Sequence, residues 1–213
     1  LATRADSVAL AADGLAASVV FAPDGTLLRL GLEADRLALD TPRGRRALAG
    51  LRGGLQHLED RRYRIALSAQ TVPDPGRSSG SAELQAEIAF DRALSETLLL
   101  HPRPQPRQID LRRAVYTEGD SVLRAAGDLA IDGAGWPDGR LALRAEHWQP
   151  LLDRAATRGS LPRGLARTLD DGLRLLARLS DTPDRIELPV TFAAGAIRLG
   201  PIPLGPAPRL TLP

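Results

Sequence analysis

Apolar residues in this chain recur at every second position over long stretches. In "DGLAASVVFAPDGTLLRLGLEADRLALD", Leu15, Ala17, Val19 and Phe21 alternate with smaller or polar residues. "PDG" at Pro23 to Gly25 turns the chain, and Leu28, Leu30 and Leu32 alternate back. Period two is the strand period, and Asp-Gly between two such runs marks a hairpin. The apolar parity switches at Leu37 and Leu39, which predicts a bulge or bend near Ala34 to Arg36. Further alternating runs are "YRIALSAQTV", "AELQAEIAFD", "IDLRRAVYTEGD", "SVLRAAGDLAIDG", "GRLALRAEHW" and "RIELPVTFAAGAIRLG". Strands that follow strands through short turns give an antiparallel sheet of nine or ten strands. No βαβ rhythm and no fixed-length repeat interrupts it.

Two segments are expected to be helical. The first covers about 42–60, where Thr41 before Pro42 resembles an N-cap and N1 pair. Leu48, Leu51, Leu55 and Leu58 recur there every three or four residues. Gly50, Gly53 and Gly54 weaken that helix by up to ~1 kcal/mol each. The second covers about 149–181, with Leu165, Leu169, Leu173, Leu176 and Leu179 on one face and Pro183 closing it. The expected fold is α+β and mostly β: one domain over 1–213, a curved antiparallel meander with two helical segments on one face. The closing stretch "LGPIPLGPAPRLTLP" suits a sheet edge, because proline gives a neighbouring strand no N–H to pair with.

Composition narrows the chemistry. The chain has no cysteine, which removes disulfides and thiolate chemistry. It has no methionine, so Leu1 is not a translation start and an upstream segment or anchor is expected. Every basic residue is arginine, which lifts the isoelectric point to about 9.8 although the net charge is only +2. No apolar run reaches the ~18 to 20 residues of a membrane-spanning helix. Near the arginines between Arg43 and Arg64 the aromatic residues needed for base stacking are missing apart from Tyr63, so nucleic acid is not expected as a partner.

The motifs that could carry catalysis lack their context. Gly76-Arg77-Ser78-Ser79-Gly80 matches G-x-S-x-G, but Pro73 and Pro75 precede it and an alternating strand follows. A nucleophile elbow needs a strand before and a helix after, so a loop is the favoured reading. His57, His101 and His147 have no helical metal spacing among them and are read as surface or strand-end residues. Asp128, Asp132, Asp138 and the Asp170-Asp171 pair are read as turn and surface carboxylates, since the spacing of a calcium loop is missing. No catalytic residue, metal or cofactor is therefore expected. Arg43, Arg45, Arg46 and Arg52 could meet anionic lipid head groups, with a solvated face as the alternative. Trp136 and Trp148 are read first as core plugs. Trp148, Leu141, Leu143, Leu188, Val190 and Phe192 form the candidate ligand-lining set.

The stretches "RPQPRQIDLRRAVYTEGD", "AAGDLAIDGAGWPDGRLALRAEHWQPLLD" and "IRLGPIPLGPAPRL" resemble the DUF2125 family of alphaproteobacterial proteins. The resemblance is closest over the last 110 residues or so. It implies an N-terminal membrane anchor, a β-rich periplasmic body and a chain longer than this one. A weaker likeness to AsmA-type envelope proteins implies a curved sheet forming a lipid groove. The function expected on these grounds is non-enzymatic: an envelope protein that binds or transfers lipid or another amphiphile. The alternative is a structural module that meets another envelope protein.

Overall fold

The computed structural model describes residues 9–41, 44–72, 79–96, 103–157, 163–178 and 184–212. Among these, twelve strands form one open antiparallel sheet: β1 (Ala9–Asp13), β2 (Ala16–Phe21), β3 (Leu27–Thr41), β4 (Gly44–Glu59), β5 (Arg62–Thr71), β6 (Gly80–Phe90), β7 (Pro106–Glu118), β8 (Ser121–Ile131), β9 (Pro137–Glu146), β10 (Arg185–Ala193), β11 (Ala196–Leu199) and β12 (Ile202–Pro206). From β3 onward, each strand pairs with its neighbour in sequence. β1 and β2 lie in line along the free side of β3, as two halves of one edge strand. Two helices, α1 (Trp148–Thr157) and α2 (Arg163–Arg178), lie between β9 and β10. The mostly-β antiparallel meander expected from the alternation is the fold observed.

One expectation fails. Residues 42–60 do not form a helix; nearly all of them belong to strand β4. The cause lies in two bulges. Between Ala49 and Arg52, β4 carries one more residue than β5, and it does so again between His57 and Glu59. A bulge returns residues three apart to the same face of a strand. Leu48 and Leu51 span the first bulge, and Leu55 and Leu58 the second. Leu51 and Leu55, four apart, share a face in any regular strand. The three-four-three spacing of a helix is thus also the spacing of a strand bulged twice. The glycines decide between them: Gly50 sits in the first bulge at φ +56°, a conformation that a helix interior does not use. Both described helices come from the second zone.

The parity switch in β3 belongs to the same defect. Asp35 lies opposite Gly50, between the pairs Ala34–Leu51 and Arg36–Ala49. The edge strand breaks between β1 and β2 opposite this point. The extra residue runs in step through the edge strand, β3 and β4, and is resolved only against β5. A bulge in β7 acts alike: Leu111 and Ala114 stay on one face while Arg112 and Arg113 crowd the other.

With these corrections the faces separate cleanly. Residues paired across antiparallel strands project to the same side. One row runs Leu32–Gly53–Leu67–Leu84–Ala114–Ala125–Leu143–Leu188, eight strands without a polar side chain. A row on the other face runs Gln56–Arg64–Glu87–Asp110–Asp128–Arg140–Thr191, with no apolar one.

The proline-rich C-terminus forms the far edge. β12 carries Pro203 and Pro206 and pairs only with β11. The chain then crosses the hairpin ends. Ala207 N–H donates to Gly195, Leu210 N–H to Gly135, and Leu212 N–H to the Gln105 side chain at 2.9 Å. The other half of that sheet end is closed by residues 91–96. There Leu27, buried Tyr63, Phe90 and Leu94 pack together. The Leu94 N–H donates to the Tyr63 hydroxyl at 2.9 Å.

Two glycine substitutions will separate strain from simple conformational preference. Gly139 in β9 has φ +142°, and a Cβ there would overlap the Asp128 carbonyl oxygen and crowd Leu129 Cα. Gly50 needs a positive φ but has no atom within 4 Å of the Cβ position. Urea unfolding of Gly139→Ala is expected to show a loss of about 3 kcal/mol or more, against about 1 to 2 kcal/mol for Gly50→Ala. Equal losses would mean that close backbone packing at Gly139 contributes nothing.

Candidate functional site

An apolar sheet face must be covered or it will meet something else. Here the cover is partial. α1 and α2 rest on the β8–β12 part of the sheet, and Trp148, Leu169 and Leu173 pack with Ala145, Ile186, Leu199 and Ile202. α2 is strongly amphipathic, with Leu165, Leu169 and Leu173 turned inward and Leu175 exposed. The residues 91–96 and the C-terminal segment close one end. Between these covers, over β4 to β8, no described residue lies on the apolar face.

The open area forms a shallow hollow of about 380 Å³. Leu51, Leu67, Leu84 and Leu123 line it, with Ala69, Ala82, Ala114 and Ala125 as its low floor and Tyr116 at one side. The floor dips because small residues stand where the neighbouring rows carry leucine. Gly53 deepens this effect, since Leu67 Cδ2 leans to within 3.1 Å of where a Cβ would be. Leu67 is 44% exposed, an unusual state for a leucine in the middle of a sheet. Beyond the hollow the apolar surface continues toward the β2 edge through Leu30 and Val19, which are also exposed.

Tyr116 connects the hollow to a buried polar cluster. Its hydroxyl donates to Glu118 Oε2 at 2.8 Å. Glu118 is 3% exposed and forms an ion pair with Arg154 of α1 at 3.4 Å. Arg154 also donates to the Glu118 carbonyl and to Ser121 Oγ. A buried carboxylate needs such a partner, and the pair fixes α1 beside the hollow.

The candidate ligand-lining residues fall elsewhere. Trp148, the first residue of α1, is buried between the helices and the sheet, and Leu143, Leu188 and Val190 pack against that same core. Leu141 lies opposite Gly127 and Val190, and Phe192 opposite Gly139 and Ile197; both are half-buried. The protein's own helices occupy the face that Leu143, Leu188 and Val190 present, and Trp148 belongs to one of those helices. The hollow residues share the alternating pattern with them. Their one further signal is the run of alanine and glycine at matched positions, visible only when the strands are aligned.

The arginine candidates divide as well. Arg43 lies outside the described residues. Arg45 and Arg46 stand in β4 opposite Asp40 and Leu39. Arg52 is exposed on the polar face, opposite Glu33 and Ser68. That face is laced with ion pairs. Glu87 meets Arg62, Arg64 and Arg112; Glu146 meets Arg124 and Arg185; Arg144 meets Glu187.

Among the described residues the catalytic candidates do not converge. Ser78 and His101 lie outside the described residues. His57 places Nε2 3.0 Å from the Asp60 carbonyl, and His147 places Nδ1 3.1 Å from that of Asp120. The two histidines thus serve hairpin ends. Asp132 Oδ1 accepts from the Ala134 and Trp136 N–H groups, closing its turn, and Asp170 pairs with Arg174. Trp136 carries the Arg209 guanidinium over its ring at 4.9 Å. Among the described residues no three His, Asp or Glu side chains gather as a metal site, and no helix is long and apolar enough to cross a membrane.

The Glu87 cluster has a pH signature. The Arg64 hydrogen bond, followed by Arg112, holds its carboxyl below the ordinary glutamate range. A carboxyl depressed in the folded state adds stability above its unfolded pKa of about 4.3 and loses it as pH falls through the lower folded value. Glu87→Gln is therefore expected to lower the urea midpoint at neutral pH and to flatten its decline below about pH 4.3. An acid limb as steep as that of the wild type would assign the decline to other carboxylates.

No curated protein and no solved structure matches this chain. A family model does, that of DUF2125, described as an uncharacterized protein conserved in bacteria, over residues 1–208. The match spans the sheet from its first edge strand through β12, together with both helices and the hollow. The chain belongs to the DUF2125 family.

Proposed function

We propose that this chain is a non-enzymatic binding protein of the periplasm, tethered to the inner membrane by a segment upstream of it, that carries an amphiphile on its open apolar face. The ligand class is a lipid or similar molecule, with an acyl chain lying across the strands in the hollow. No cofactor takes part, and nucleic acid is not a partner. The single observation that supports this reading is the uncovered apolar row at Leu67, Leu84, Ala114 and Ala125, set between two covered stretches of the same face. A sheet that only needed a core would cover this row. Burying apolar area stabilises by roughly 25 cal/mol per Å², so an exposed leucine and its neighbours favour any fitting chain that reaches them. Its lining residues span five neighbouring strands, β4 to β8, which stand about 4.8 Å apart, and each methylene group buried across them is worth about 0.8 kcal/mol.

The polar face has a separate role in this reading. Its paired arginines keep the chain soluble and its two faces distinct. Arg52 stands on the face opposite the hollow, so lipid head-group contact there would be a surface attraction and not part of the binding groove.

Leu67→Glu tests the proposal directly. The side chain is exposed enough that unfolding free energy is expected to move by less than about 1 kcal/mol. Displacement of a fluorescent fatty acid from the purified protein is expected to weaken by about tenfold or more, because a carboxylate would sit against the chain. Native mass spectrometry of the wild type is expected to show a co-purified lipid that this variant lacks. Equal probe affinity in both proteins, with no lipid on either, would remove the groove reading and leave a protein-binding face as the use of this surface.

A further inference from the structure

The two edges of the sheet are treated differently. β12 is blunted by Pro203 and Pro206, and the chain then leaves the edge to cross the hairpin ends. β2, at the opposite side, has the sequence Ala-Ala-Ser-Val-Val-Phe and carries neither proline nor charge. All six residues are exposed, with Val19 at 52%, Val20 at 49% and Phe21 at 40%. β2 bonds to β3 on one side and to nothing described on the other. Soluble proteins guard such edges with charge, proline, bulges or a cover, because unpaired N–H and C=O groups recruit another strand. Among the described residues, one edge of this sheet is guarded and the other is not.

We propose that β2 pairs antiparallel with β2 of a second copy of this chain, about a two-fold axis through Val19. Opposed residues in an antiparallel pair share a face, which restricts the register to pairs of equal parity. The axis at Val19 keeps Ala17 to Phe21 paired within β2 on both copies. It sets Ala17 opposite Phe21 and Val19 opposite Val19 on the apolar face, and Ser18 opposite Val20 on the other. Each Phe21 then meets a small partner. Axes one residue to either side would set Leu15 opposite Phe21, or leave Ala17 opposite residue 23, beyond the strand. No charge in β2 repels its copy. The blunt β12 edge offers no second site, so the contact closes as a dimer and does not run on into a fibre. An antiparallel two-fold at a sheet edge stands perpendicular to the sheet. It therefore brings both apolar faces to the same side and joins them into one surface. The dimer stands independently of whether that surface carries lipid.

The cysteine-free sequence makes the register testable. Val19→Cys places two thiols opposite each other across the axis, at a Cα separation of roughly 4.5–5.5 Å that a disulfide accepts. Under mild oxidation it is expected to form a covalent dimer about tenfold or more faster than Leu175→Cys, on the exposed outer side of α2. Sedimentation velocity of the wild type is expected to give twice 22.7 kDa, and Val19→Lys is expected to give the single mass. Should Val19→Lys fail to fold, the near-isosteric Val19→Cys still carries the test. A wild type that stays monomeric at all concentrations, or a Val19→Cys rate no greater than that of Leu175→Cys, overturns the proposal. A foreign strand bound at β2 of a monomeric chain does so too. Leu67→Glu, which alters the hollow, is expected to leave the dimer intact.

Discussion

Everything in this structure depends on keeping two faces of one long sheet apart. A slip of one residue between neighbouring strands would carry arginine and glutamate to the apolar side and leucine to the charged side. Eight strands share the row through Leu67, so an error at one pair would propagate across its neighbours. The bulges are the means by which the sheet tolerates a sequence that does not alternate perfectly. At Gly50 and at Arg112–Arg113, an extra residue restores the parity that the next stretch requires. The bend that accompanies each bulge also curls the sheet away from flatness.

The polar face serves this separation more than it serves stability. Exposed ion pairs contribute about 0 to 1 kcal/mol each. Their placement matters more, because Glu87 beside Arg62, Arg64 and Arg112 makes the correct register of β5, β6 and β7 better than its alternatives. Arginine suits this task, since its planar fork can bridge carboxylates on two strands. The apolar face has the opposite logic. It is finished where the helices, the residues 91–96 and the C-terminal segment lie on it, and unfinished between them. The Arg154–Glu118 pair holds α1 at the boundary and so sets where the open area begins.

Much of the architecture was legible in the alternation, the Asp-Gly turns and the proline-rich ending. The parity switch at Leu37 and Leu39 marked a true irregularity. Residues 42–60 misled, because Leu48, Leu51, Leu55 and Leu58 carry a spacing that a helix and a twice-bulged strand share. Gly50, at a positive φ in the first bulge, argues against the helix, and pairing with β3 and β5 on its two sides makes the segment a strand. The candidate ligand residues show the same limit. Leu143, Leu188 and Val190 look like Leu51, Leu67 and Leu84 in sequence, and only the position of the helices makes one set core and the other surface.

The sequence by itself determined the strand period, the antiparallel meander, the position of the helical pair after β9 and the blunt C-terminal edge. These follow from local chemistry: side-chain alternation, backbone conformations open to glycine and proline, and short connections between neighbours. The tertiary structure decided which leucines are covered, where the hollow lies and which strands stand at the edges of the described sheet. Those outcomes depend on how far two short helices reach across a sheet of fixed width, and coverage is a property of the assembled surface that no single stretch of chain contains.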